Sequence, residues 1–141
     1  MSDRTCLRQF GMAIGTAYQI YDDCLDLFGS ELSAGKSLGT DLATGKVTLP
    51  VLLLLEKADA RGRALSLLQK WNPAEFESLM EALTDHQVMT ESRKIVHGYL
   101  RVARESLAEL PESDSRAGLR ALTDYLGQQT DCLGQNKRCQ L

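Results

Sequence analysis

The sequence predicts an all-α protein that forms one domain. Apolar residues recur at intervals of three and four along most of the chain, which is the spacing of one face of an α-helix. Apolar and polar residues nowhere alternate as they do in a half-buried strand. The chain has 141 residues, of which 43% are hydrophobic and 25% are charged. This is the length and composition of a globular domain and not of a disordered segment.

The first predicted helix covers residues 4–28. Its apolar residues keep the helical spacing and are Leu7, Phe10, Ile14, Ala17 and Tyr21. The glycine-rich segment 29–47 follows and is predicted to be a loop, because glycine interrupts helices.

A second helix is predicted to begin at residue 48, with Thr48 as a candidate cap and Pro50 in the first turn, where a missing N–H is tolerated. It is apolar on nearly all sides, so we expect it to be deeply buried. Asn72 and Ser113 are candidate caps of later helices, and Pro111 separates the last two. Six helices are therefore expected, over residues 4–28, 48–58, 61–71, 72–84, 90–110 and 113–133.

Composition and charge exclude several classes of protein. The formal net charge is −3, so bulk charge does not favour nucleic-acid binding. The longest apolar run, residues 49–55, is far shorter than the ~20 residues that span a membrane. The first residues lack the pattern of a secretory signal. The four cysteines lack CxxC spacing, so we expect no zinc site. Because no secretory signal is seen, we expect a cytoplasmic protein whose cysteines are free thiols.

Three carboxylates lie on one stretch of the first helix. Asp22 and Asp26 are four residues apart and share a helical face with Gln19, and Asp23 flanks them. No basic residue lies within residues 9–35 to offset their mutual repulsion. Mg²⁺ would offset it, because this cation prefers a few carboxylates together with waters and phosphate oxygens. The alternative explanation is a solvated acidic turn without a ligand.

The predicted loop adds two lysines in glycine-rich backbone, Lys36 and Lys46, with Asp41 between them. Glycine lets backbone approach a ligand closely, and lysine binds phosphate as a point charge. Carboxylates, a divalent cation and lysines together predict a site for a diphosphate, whose charge they would neutralise as it leaves. The nucleotide-binding P-loop and the EF-hand calcium loop are not matched.

The motifs in this region resemble those of a known family. Residues 11–26 contain Gly-x-x-x-Gly-x-x-Tyr-Gln-Ile-x-Asp-Asp-x-x-Asp. Gly35-Lys36, Gly39-Thr40-Asp41-Leu42, Gly45-Lys46 and Thr48-Leu49-Pro50 follow in order. This combination resembles the second aspartate-rich motif and the following segment of the trans-prenyl diphosphate synthases, which include farnesyl, geranylgeranyl and longer polyprenyl diphosphate synthases. The resemblance covers nearly the whole chain.

The resemblance implies the isoprenoid synthase helical fold and a Mg²⁺-dependent prenyltransferase of isoprenoid biosynthesis. Members of this family condense an allylic diphosphate with isopentenyl diphosphate to a longer trans-prenyl diphosphate. By position, Asp22 is similar to the principal metal ligand of the motif. Asp23 and Asp26 are similar to residues that support it directly or through water.

The same resemblance implies roles for the residues around the carboxylates. Lys36 and Lys46 are similar to the diphosphate-binding lysines of the family, and Gln19 is similar to a glutamine near the allylic substrate. We expect these three residues to take part in catalysis. Gln19 and Asp41 are also expected at the diphosphate subsite, where Asp41 would orient a lysine or a metal-bound water.

The chain departs from the family pattern in one respect. The family has two aspartate-rich motifs on facing helices, whereas this sequence contains a single Asp-Asp pair. We therefore expect residues 1–141 to be the C-terminal portion of one isoprenoid synthase domain and to be inactive alone. Because the family is commonly homodimeric, we expect a homodimer or association through exposed apolar helices. The alternatives are a non-catalytic helical subunit or partner of a full synthase and, third, a terpene cyclase-like enzyme.

Overall fold

The computed structural model describes residues 2–30 and 37–135. Within these residues the chain forms seven α-helices and no strand, which confirms the predicted all-α class. The helices are α1 (Asp3–Phe28), α2 (Thr40–Ala43), α3 (Leu49–Glu56), α4 (Arg61–Gln69), α5 (Phe76–Asp85), α6 (Val88–Ala108) and α7 (Asp114–Asp131). A short 3₁₀ helix, Pro73–Glu75, precedes α5.

All six predicted helices are present, with ends that shift by about one turn or less. The prediction of a loop over 29–47 is wrong for residues 40–43, because the loop contains the one-turn helix α2. Gly39 precedes it in the left-handed conformation, with φ 74°. A Cβ at this position would also lie 3.0 Å from the Phe76 ring, so both the backbone and the space require glycine.

The predicted helix caps are present at two positions of three. The Asn72 side chain accepts a hydrogen bond from the Ala74 N–H at 2.9 Å, and the Ser113 hydroxyl accepts one from the Arg116 N–H at 3.1 Å. Thr48 stands at the cap position of α3, but its side chain makes no capping hydrogen bond. The two side-chain caps satisfy backbone donors that the helix itself leaves unpaired.

Helices α1 and α6 form the most extensive helix–helix contact, and α7 packs against α6 and touches α1. The largest core cluster lies at the C-terminal end of α1, where α2 to α5 converge. Its fully buried members include Cys24, Val51, Leu54, Leu79, Leu83 and Val88. Two smaller clusters continue the core along α1 toward its start, around Ala17 and around Phe10. Helix α1 is thus the central element, and its acidic end sits over the largest cluster.

None of the described helices is both long enough and apolar enough to cross a bilayer. Cys6 and Cys24 are buried free thiols. Cys132 is disulfide-bonded, so the expectation of free thiols is wrong for this residue.

We expect Cys24 to be chemically inert in the native chain although it lies within the acidic turn. Burial raises the pKa of its thiol to about 12, and only the thiolate is a good nucleophile. Alkylation by iodoacetamide at pH 8 should be on the order of a hundredfold or more slower than for a free cysteine. Mass spectrometry of the Cys24 peptide checks this, with the same reaction in urea as the control. Rapid native labelling would contradict the buried placement.

A second prediction concerns His86, which links α5 to the segment before α4. Its ring nitrogens contact the Ala82 carbonyl at 2.8 Å and the Asp59 carboxylate at 3.1 Å, and both contacts raise the His86 pKa. The charged ring therefore stabilises the fold below the ordinary histidine pKa, and this contribution disappears as pH rises through the raised value. Asp59→Asn should lower the His86 pKa in an NMR titration, and an unchanged titration would refute the pairing.

Candidate functional site

The acidic end of α1, helix α2 and the turn after it form one site. Asp26 anchors this arrangement and is fully buried. Its carboxylate accepts hydrogen bonds from the Thr40 hydroxyl at 2.6 Å, the Thr40 N–H at 3.3 Å and the Asp41 N–H at 3.1 Å. These N–H groups open α2, so Asp26 serves as a cap from 14 residues earlier in the chain.

Backbone and side-chain contacts hold α2 against α1 on both sides of this cap. The Gly39 N–H donates to the Asp26 carbonyl oxygen at 2.8 Å. Leu42 is buried in the core cluster beneath the end of α1. Asp41 lies between these two contacts. Its position is therefore fixed by α2.

A second set of contacts centres on Asp23. Its Oδ1 atom accepts hydrogen bonds from Gln19 Nε2 at 3.0 Å and from Lys46 Nζ at 2.9 Å. The Lys46 ammonium also lies 3.8 Å from Asp41 Oδ1. The Asp23 hydrogen bond and the charges of Asp23, Asp41 and Asp22 raise the pKa of Lys46. Lys46 is therefore charged and held between two carboxylates from different elements.

Asp22 differs from its two acidic neighbours. It is partly exposed, and no hydrogen bond or ion pair joins it to another described residue. Its charge nevertheless acts on Lys46, which places it within the field of the same cluster. Three aspartates on one helix thus have three environments. Asp26 is enclosed, Asp23 is paired with Lys46, and Asp22 is presented outward.

The structure brings most of the predicted site residues together. Gln19, Asp23, Asp41 and Lys46 form one network, and Asp22 lies at its edge. Asp26 points into the protein, and Lys36 lies outside the described residues. Sequence reasoning missed Thr40, whose hydroxyl binds Asp26. The Gly39-Thr40 pair could have indicated a helix start here, because threonine is favoured at helix N-termini.

The chemistry of the donor set fits a hard divalent cation. Carboxylates outnumber the described ammonium group in this network, and oxygen atoms are the ligands that Mg²⁺ prefers. Within residues 2–30 and 37–135, no group of three or more His, Cys, Asp or Glu residues is placed to hold a metal ion. Mg²⁺ needs fewer protein ligands than that, because it commonly keeps waters and phosphate oxygens as ligands.

The fold and this site define a helical protein of the isoprenoid synthase class. A geranylgeranyl pyrophosphate synthetase from Pyrococcus horikoshii superimposes with a TM-score of 0.77 at 30% identity, covering 88% of this chain and 38% of that one. A geranylgeranyl pyrophosphate synthase from Corynebacterium glutamicum, complexed with isoprenyl diphosphate and magnesium, gives 0.77 at 25% identity. That match covers 89% of this chain and 37% of the other.

The sequence comparisons agree with the structural ones. A short chain isoprenyl diphosphate synthase from Methanothermobacter thermautotrophicus is 34% identical over 122 residues, which is 85% of this chain. The polyprenyl synthetase family model matches residues 2–85, so the chain belongs to the polyprenyl synthetase family. The 141-residue chain spans 38% of the length of the Methanothermobacter relative.

We expect the buried Asp26 carboxylate to be needed for stability. Asp26→Asn replaces one acceptor oxygen with an NH₂ group that faces the donors of α2, which should cost about 1–3 kcal/mol of unfolding free energy. Asp124→Asn is the matched control, because Asp124 forms a half-exposed ion pair with Arg104 worth about 0–1 kcal/mol. Urea unfolding followed by circular dichroism compares the two variants. Equal costs would contradict the cap.

Proposed function

We propose that this chain carries the part of a prenyltransferase active site that binds the diphosphate of an allylic substrate. The reaction would condense that substrate with isopentenyl diphosphate to give a longer trans-prenyl diphosphate. The proposal rests on Asp22, which makes no hydrogen bond or ion pair with any other residue in the described part of the chain and lies beside a network that fixes Asp23, Asp41 and Lys46. Family membership and the isoprenyl diphosphate in a solved relative support the same chemistry.

Asp22 and Asp23 are the residues proposed to hold Mg²⁺. Bound Mg²⁺ would neutralise the diphosphate as the allylic C–O bond breaks. Asp26 is enclosed by its hydrogen bonds to α2, so we assign it a supporting role in which it places Asp41. Asp41 in turn lies within 3.8 Å of the Lys46 ammonium and limits where that group moves.

The basic and polar residues are proposed to bind and orient the leaving group. Lys46 would contact diphosphate oxygens, and Lys36 would do so from the preceding segment as the sequence motif predicts. The Gln19 amide donates a hydrogen bond to Asp23 and keeps this nearly buried carboxylate oriented beside Lys46. Positive groups in these places stabilise charge that develops on the diphosphate as the bond breaks.

An exposed apolar face of α1 leads directly to this site. Leu7 and Tyr18 are 47% and 59% exposed, and one helical face carries them together with Gly11, Gly15 and Asp22. A Cβ at either glycine would meet no other atom within 4 Å.

We propose that helices from a second chain, or from further sequence of the same protein, cover this face and bring the first aspartate-rich motif opposite Asp22. A non-catalytic subunit that associates through this face is the second candidate function.

We expect Asp22 to be required for Mg²⁺-dependent diphosphate binding. Asp22→Ala should weaken the binding of inorganic diphosphate at saturating Mg²⁺ by at least tenfold, because it removes the outward carboxylate. Calorimetry on the 141-residue chain measures this. Asp3→Ala, which removes an exposed acid from the other end of α1, is the control and should bind like the parent. Equal affinities for all three proteins would refute the assignment of Asp22.

We also expect the 141-residue chain to form no elongated product alone. The assay contains the chain, Mg²⁺, isopentenyl diphosphate and an allylic diphosphate, and mass spectrometry detects longer prenyl diphosphates. Absence of product together with retained diphosphate binding supports an incomplete active site. Product that Asp22→Ala abolishes would show that this chain assembles a full site unaided. Cyclic product from the allylic diphosphate alone would indicate a terpene cyclase-like reaction.

A further inference from the structure

We propose that Lys46 occupies the space between Asp23 and Asp41 in competition with a divalent cation, and that cation binding releases its ammonium group toward the diphosphate. The inference rests on the proposed function, because it specifies how Lys46 moves within that same site when a cation binds. It also makes the order of events explicit: the cation enters first, and the lysine becomes available to the diphosphate afterwards.

The geometry around Lys46 supports a position shared with a cation. Its Nζ atom lies 2.9 Å from Asp23 Oδ1 and 3.8 Å from Asp41 Oδ1. One partner lies on α1 and the other on α2, so the ammonium group bridges two elements. Carboxylate oxygens brought together from two elements suit a cation, and here the lysine supplies the positive charge.

The exposure of the three side chains shows which of them is able to move. The Lys46 side chain is 48% exposed, whereas Asp23 and Asp41 are 11% and 20% exposed. Gln19 continues to hold Asp23 through its 3.0 Å hydrogen bond when the lysine leaves, and the Asp26 cap continues to hold the Asp41 backbone. The carboxylates therefore keep their places, and the flexible lysine withdraws into solvent without burying its charge.

The charges explain why the exchange needs a cation. The hydrogen bond to Asp23, and then the charges of Asp23, Asp41 and Asp22, favour the charged form of Lys46 and raise its pKa. Withdrawal of Lys46 alone would remove the positive charge that lies 2.9 Å from Asp23. A divalent cation replaces that positive charge, so the lysine leaves at little cost only when the cation arrives.

This exchange predicts opposite effects on two ligands. Loss of the Lys46 charge removes the competitor of the cation and therefore strengthens binding of the cation alone. The same loss removes a positive group from the diphosphate subsite and weakens diphosphate binding. A lysine that only supports the fold would weaken both ligands, and a lysine that only contacts phosphate would leave the affinity for the cation unchanged.

The test is a titration of the 141-residue chain with Mn²⁺ alone, followed by electron paramagnetic resonance of free Mn²⁺. Lys46→Met should tighten Mn²⁺ binding by roughly three- to tenfold relative to the parent, because it removes a competing charge. Lys70→Met is the matched control, since it changes net charge equally at an exposed lysine just after α4 and should bind Mn²⁺ like the parent. Lys46→Gln also loses the charge but keeps a hydrogen-bond donor, and it should tighten Mn²⁺ binding as Lys46→Met does. This variant replaces Lys46→Met if the methionine variant does not fold.

A second titration with inorganic diphosphate at saturating Mg²⁺ completes the comparison, and there both Lys46 variants should bind at least threefold more weakly. Unchanged or weaker Mn²⁺ binding by the Lys46 variants overturns the exchange, and so does a lack of Mn²⁺ binding by every variant. A parent chain that does not bind diphosphate refutes the proposed function instead. In that case, tighter Mn²⁺ binding by Lys46→Met would still establish the competition.

Discussion

The buried carboxylate of Asp26 is the constraint on which the rest of the site depends. An enclosed charge is costly unless hydrogen bonds compensate it, and three donors from Thr40 and Asp41 do so here. The same bonds satisfy the first N–H groups of α2. Without them, a one-turn helix would have little reason to form, because isolated helical turns are unfavourable. Asp41 and the backbone that leads to Lys46 take their positions from α2.

Burial and partners divide three similar aspartates among different tasks. Asp26 builds the scaffold, Asp23 holds the resting lysine, and Asp22 faces outward. The repulsion that the sequence indicates is offset partly by the hydrogen bonds that Asp26 accepts and partly by the Lys46 ion pair. Asp22 lies on the exposed face of α1, so it would face the helices that are proposed to cover that face.

Local patterns were sufficient to predict the helices and the acidic turn, whereas long-range contacts were not. The 3–4 spacing identified α1, and Asn72 and Ser113 marked helix starts because capping depends on neighbouring residues. Helix α2 was missed because its cap, Asp26, lies 14 residues away. The four-residue spacing placed Asp22 and Asp26 on one helical face. The burial of the Asp26 side chain depends on how α2 packs against α1, which local spacing does not reveal. The Asp23–Lys46 pair spans 23 residues and depends on the path of the intervening chain.

We propose that Asp22 and the network around Asp23 hold a divalent cation and a diphosphate together. Crystals of the chain grown with Mn²⁺ and inorganic diphosphate, with data collected at the manganese absorption edge, test it most directly. We expect an anomalous peak beside the Asp22 and Asp23 carboxylates, at the place that Lys46 Nζ leaves between Asp23 and Asp41, with a diphosphate next to the peak and Lys46 Nζ moved toward the diphosphate. A peak elsewhere, or no peak together with Lys46 still in contact with Asp23, would contradict this assignment.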